Sequence, residues 1–167
     1  MKKALILTAL VMGSAASAAM MLTGTDKSFV PKAAMGNQFE IEAAKLAQSM
    51  SMDSKVKAYA QKMITDHTRL GADVKTAVKK ADPAMVVPAT VSPAQRKMLG
   101  ALKVSGKNFD SLYRKDMEAS HAETYALFQK YSAAANANPD LKAVVRGALP
   151  TVKSHLDMAR GLPTMAM

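Results

Sequence analysis

The chain has 167 residues, 49% of them hydrophobic, a formal charge of +10 and no cysteine. This length and composition fit one ordinary domain with a real core and exclude a disordered polar tail. The absence of cysteine excludes a disulfide framework, a cysteine nucleophile and a lipid-modified cysteine after a leader.

Met1-Lys2-Lys3 is basic, Ala4 to Met12 is apolar and Gly13 to Ala18 is built of small residues, which is the anatomy of a secretory signal peptide over residues 1–19. Cleavage is expected near Ala18 or Ala19, giving a periplasmic or secreted protein. The apolar run is far shorter than the roughly 20 residues of a spanning helix, so no membrane span is expected in the mature chain. Loss of Lys2 and Lys3 takes the charge from +10 to +8. A basic exterior is compatible with anionic envelope components. The basic residues form no run longer than a pair and aromatics are scarce, which argues against nucleic acid.

Strand signals are nearly absent, and the chain reads as all-α. A first helix is expected from about Ser28 to Met50, with Phe39, Ala43, Leu46 and Met50 on one stripe beside Gly36, Glu40 and Ala47. A second starts near Asp53, a good N-cap, carries Val56, Ala60, Met63, His67, Leu70, Val74 and Ala77 in four-three alternation, and stops before Asp82-Pro83. Pro83 to Val91 reads as an extended crossover. Ser92-Pro93-Ala94-Gln95 then opens a short helix with a capping box and proline at its first position. A long helix follows from about Lys107 to Ala134, with Asp110, Tyr113, Met117, His121, Thr124, Phe128 and Tyr131 on one face. Asn138-Pro139 opens the last helix, whose stripe is Leu141, Val145, Ala148, Val152, His155, Ala159 and Leu162, with Pro150 inside it. Two hairpins joined by one long connection describe a ferritin-like four-helix bundle with a long crossover carrying a short extra helix, over residues 28–162, with a disordered tail at 163–167.

All three histidines fall on apolar seams, and Glu40 falls within the apolar arc of the first helix. If the buried face takes about three positions in seven, chance places all three histidines there roughly one time in twelve. At 1.5 Å per residue, Glu40, His67, His121 and His155 lie about 17 to 27 Å from their hairpin turns, so four helices can bring them to one layer. Burying a carboxylate and three imidazoles is costly unless they satisfy one another or hold a cation. The expected site is a single transition-metal ion (Zn, Cu, Fe or Mn) on Glu40, His67, His121 and His155. Asp66, Asp110, Tyr113 and Glu118 are candidates for further ligands or for orienting the rings.

The chain has 14 methionines, and Met63, Met117 and Met158 each lie one helical turn from a seam histidine. Met63 and Met117 are therefore alternative soft ligands for copper, although methionine is also an adaptable core filler. Glu118-Ala119-Ser120-His121 has the Glu-x-x-His spacing of di-iron bundles, but Ile64 and Val152 stand where the second copy needs glutamate. A standard di-iron oxidase is thereby disfavoured. No motif singles out metal-free catalysis.

Phe29 with Ala33, Ala34 and Gly36, Glu40 before Lys45-Leu46-Ala47, Val56, Ala60, Met63 and Asp66-His67-Thr68, Phe109-Asp110 with Tyr113, Met117 and His121, and Leu149-Pro150 with His155-Leu156 together resemble the exported bacterial family called domain of unknown function 4142. The resemblance spans Phe29 to Leu162 and implies a ferritin-like fold and an envelope location. One departure is Ser120, where the family often carries an acidic residue before the second histidine. The functional expectation is a metal-binding bundle, more a binding protein than an enzyme; an enzymatic version would be a metal-dependent oxidoreductase. The alternative is a cell-envelope interaction or stress-related module whose buried polar network is purely structural.

Overall fold

A computed structural model describes residues 20–163 of the chain; the expected signal peptide and residues 164–167 of the expected tail lie outside the described residues. Five α-helices follow in order: α1 (Gly24–Met50), α2 (Ser54–Ala81), α3 (Pro93–Lys103), α4 (Phe109–Ala133) and α5 (Pro139–Arg160), with a 3-10 turn at Gly106–Asn108 leading into α4.

The helix starts follow from local chemistry. Asp53 accepts from the backbone N–H of Lys55 at 2.7 Å and of Val56 at 3.0 Å, capping α2. Ser92 and Gln95 close a reciprocal capping box on α3, and Asn138 caps α5 ahead of Pro139. Helix α1 begins four residues earlier than its apolar stripe indicates, because Thr23 and Asp26 form a second capping box. Gly106, with φ of 55°, supplies the left-handed residue that lets the chain turn from α3 into α4.

Helices α1 and α2 form one hairpin and α4 and α5 the other; α1 also packs on α4, and α2 on α5. Contacts of Asp26 with Tyr131 and of Glu40 with Ser120 make α1 and α4 antiparallel. Contacts of Asp66 with His155 and of Lys80 with Asp140 do the same for α2 and α5. Helices α2 and α4 therefore run in the same direction on opposite corners, and residues 82–108 carry the chain back along the bundle between them. Helix α3, within that crossover, packs on α1 and α4.

The apolar core is divided in two. One cluster joins Phe39, Ala43, Val56, Tyr59, Met63, Leu102, Phe109, Tyr113 and Met117 near the α1–α2 turn. The other joins Phe29, Val30, Val74, Val78, Phe128, Tyr131, Leu141, Val145 and Val152 at the opposite end. In sequence along α2, α4 and α5, His67, His121 and His155 fall between these clusters, and on α1 Glu40 follows Phe39 at the edge of the first. The expected stripes hold except at Leu46, Met50, Leu70, Thr124 and Ala148, which are only partly buried.

Candidate metal centre

Each of the four long helices contributes one side chain to the polar layer: Glu40 from α1, His67 from α2, His121 from α4 and His155 from α5, each at most 1% exposed. The three imidazole rings form a nearly equilateral triangle, with centroids 5.4 Å apart for His67 and His121, 5.2 Å for His67 and His155, and 5.4 Å for His121 and His155. One ring nitrogen from each lies within 4.8 Å of the others, close enough for a single ion to draw them together.

The outer hydrogen bonds assign the inner nitrogens. His121 Nδ1 donates to the Met117 carbonyl at 2.8 Å, and His67 Nδ1 donates to Asn37 Oδ1 at 3.0 Å. Both Nε2 atoms are then bare lone pairs, and they face each other at 3.3 Å. Two lone pairs at that distance repel unless a proton or a cation lies between them. His155 Nε2 donates to Asp66 Oδ2 at 2.8 Å, which leaves its buried Nδ1 without a partner. Each ring thus has its outer N–H held by an oxygen and its other nitrogen free, the arrangement that orients histidines around metals.

Glu40 stands behind these rings. Its Oε2 is 3.2 Å from His67 Nδ1 and its Oε1 3.6 Å from His121 Nδ1, on the sides of the rings away from the Nε2 contact. Ser120 donates to Oε1 at 2.8 Å, while Oε2 has no aligned donor. Burial pushes the Glu40 carboxyl up, but the charge of the histidines and the Ser120 hydrogen bond more than offset it and hold it below the ordinary carboxylate range. Burial lowers His67 beyond what Glu40 restores, and it lowers His155 to about 4 despite Asp66. At neutral pH Glu40 is an anion, and His67 and His155 are neutral.

The remaining expected residues divide. Asp66 belongs to the layer's surround, holding His155 while pairing with Lys62 at 2.9 Å. Burial raises its carboxyl, but Lys62 and His155 outweigh this and keep it ionised. Glu118 lies at the surface, 3.3 Å from Arg160, so its spacing from His121 does not bring it inward. Asp110 and Tyr113 are buried in α4, roughly 16 and 12 Å along the axis from His121, and Tyr113 stacks on Phe109. The Met63 and Met117 side chains belong to the apolar cluster, and Met117 reaches the layer through its carbonyl. Met158 is 38% exposed.

Sequence reasoning notes Ser120 only as a departure from the family pattern and passes over Asn37 and Tyr59, whose hydroxyl stands 3.5 Å from His121 Nδ1. Asn37 lies one turn before Glu40 on α1, and that spacing is the signal that could have found it. It also passes over Asp26, fully buried at the far end of the bundle, where it accepts from Tyr131 Oη at 2.5 Å, Thr23 N–H at 2.7 Å and Asn138 N–H at 2.9 Å.

No curated protein matches the chain. Among solved structures, "CopM in the Cu(II)-bound form" is similar with a TM-score of 0.69 and 18% identity over 85% of this chain and 96% of that one. Identity this low speaks to the fold alone. The family profile "Domain of unknown function (DUF4142)" matches residues 11–162, and the chain belongs to that family.

Proposed function

We propose that this chain is an exported, periplasmic ferritin-like bundle that holds one transition-metal ion on His67, His121 and His155, with Glu40 as the anionic partner behind the rings. The observation that carries the reading is the convergence of three buried imidazoles whose outer N–H groups are all held by oxygens and whose inner nitrogens have nothing but one another. A purely structural network closes its hydrogen bonds, and this one leaves His155 Nδ1 and Glu40 Oε2 open. With Glu40 ionised and His67 and His155 neutral, the buried carboxylate favours a cation at the layer's centre.

Three imidazoles suit zinc, copper, iron or nickel, and by the Irving–Williams order Cu2+ binds such a set most tightly among divalent first-row ions. A protein of the same fold captured with Cu(II) makes copper the first ion to test. The leader-like residues 1–19 support export. No helix among the described residues is long and apolar enough to cross a membrane. N-terminal sequencing of protein from a periplasmic fraction should begin at Ala19 or Met20.

Metal analysis of protein purified from the periplasm tests the site: wild type should carry about one ion per chain, and His121→Ala should lose it. Metal-free wild type whose melting temperature is unmoved by copper, zinc, iron or manganese overturns the reading.

A further inference from the structure

We propose that the metal ion reaches the three histidines through the cleft between α2 and α5; the proposal rests on the metal-holding reading above. Two clefts approach the layer. One, of about 290 Å3, lies between α2 and α5 and is bounded by Asp66, His67, Asp73, Gly147, Thr151 and His155, among others. The second, of about 220 Å3, lies between α1 and α2, where Val87 and Pro88 of the crossover form part of its wall and His67 is the one histidine it reaches.

Three observations choose between them. The α2–α5 cleft touches His155, whose buried Nδ1 has no partner, whereas both nitrogens of His67 are already opposed by Asn37 and His121. The charged residues on its walls are Asp66, Asp73 and Arg69, a formal −1; the α1–α2 cleft carries Lys75 and thus +1. On a chain of +10, a cation is drawn in only where carboxylates gather. The α5 wall is also thin: Ala143, Gly147 and Thr151 repeat every fourth residue, and a Cβ on Gly147 would meet nothing within 4 Å. The space is open because these side chains are small. Asp66, with its side chain 28% exposed, stands at the throat, where it can meet an arriving aquo ion while still holding His155.

The test is the rate of Cu2+ uptake by the metal-free full chain. It is followed in stopped flow by tyrosine quenching, since the chain has four tyrosines and no tryptophan, with Tyr59 beside His121. Gly147→Leu fills the cleft without touching a ligand. Uptake should slow on the order of tenfold or more. Release to a chelator should slow by the same factor, so that the equilibrium affinity stays at the wild-type value. Ala143→Leu obstructs the same cleft and should slow both rates if Gly147→Leu fails to fold, as judged by circular dichroism. Ala34→Leu, in the α1–α2 cleft, should leave the rates unchanged. Wild-type uptake rates in both α5 variants, or slowing confined to Ala34→Leu, overturn the α2–α5 port while leaving the site intact. Absence of uptake by wild type removes the site and the port together.

Discussion

Asp26 and Glu40 are carboxylates on the same helix, about four turns apart, and both are fully buried, yet the structure surrounds them in opposite ways. Asp26 accepts three short hydrogen bonds from uncharged donors and ties the ends of α1, α4 and α5 together. Burial raises its carboxyl, but the Tyr131, Thr23 and Asn138 hydrogen bonds prevail and hold it below the ordinary range. Glu40 has one hydroxyl donor and two imidazoles beside it, and its layer keeps an open nitrogen on His155 and an open oxygen of its own. The Asp26 node closes its hydrogen bonds within the chain, and the Glu40 layer does not.

The comparison breaks first at Asp26. Asp26→Ala leaves the Tyr131 hydroxyl and two backbone N–H groups buried without acceptors, and should cost roughly 3–5 kcal/mol in urea unfolding, the same with or without metal. A cost below about 1 kcal/mol would remove the structural role assigned to that node.

Acid separates the two regions. His155 is neutral when folded, with its folded value at about 4 against an ordinary 6.5, so the unfolded chain binds the extra proton between those limits. Its contribution is complete above pH 6.5 and is lost as pH falls to about 4, a change on the order of 3 kcal/mol. Asp26, with its folded value lowered from 3.8, contributes above that pH and is lost only below it. Denaturation curves from pH 7 to 3 should show a smaller early loss in His155→Phe than in wild type, the remainder coming from His67, which burial also lowers.

Metal sharpens the contrast further. Free Cu2+ at 100 times its dissociation constant should stabilise wild type by about 2.7 kcal/mol and His155→Phe by nothing. Metal-free His155→Phe should be as stable as wild type or more so, by up to about 2 kcal/mol, because it removes a buried polar group that nothing in the chain fully satisfies. The smallest effect belongs to Ser120→Ala, which removes the hydroxyl donor of Glu40 and should cost about 1 kcal/mol in thermal unfolding.

Much of this fold is written locally. The four-three stripe of α2, its Asp53 cap, the Ser92–Gln95 box and Asn138-Pro139 each encode an element within a few residues, and the seam positions of three histidines already point to a shared layer. Which side of each ring faces inward is not written there. It depends on Asn37, the Met117 carbonyl and Asp66, and it places Glu40 behind His67 and His121, where the seam pattern alone leads one to expect a ligand. Glu118 shows the converse: a motif spacing from His121 that ends on Arg160 at the surface. Asp26 is illegible for a different reason, since its donors Tyr131 and Asn138 are 105 and 112 residues away in sequence.

Electron paramagnetic resonance of the chain loaded with one equivalent of Cu2+ tests the central claim most directly. The account predicts a single copper signal with hyperfine coupling to three imidazole nitrogens, absent from His121→Ala. A spectrum with fewer nitrogens in wild type, or one unchanged by that substitution, would contradict it.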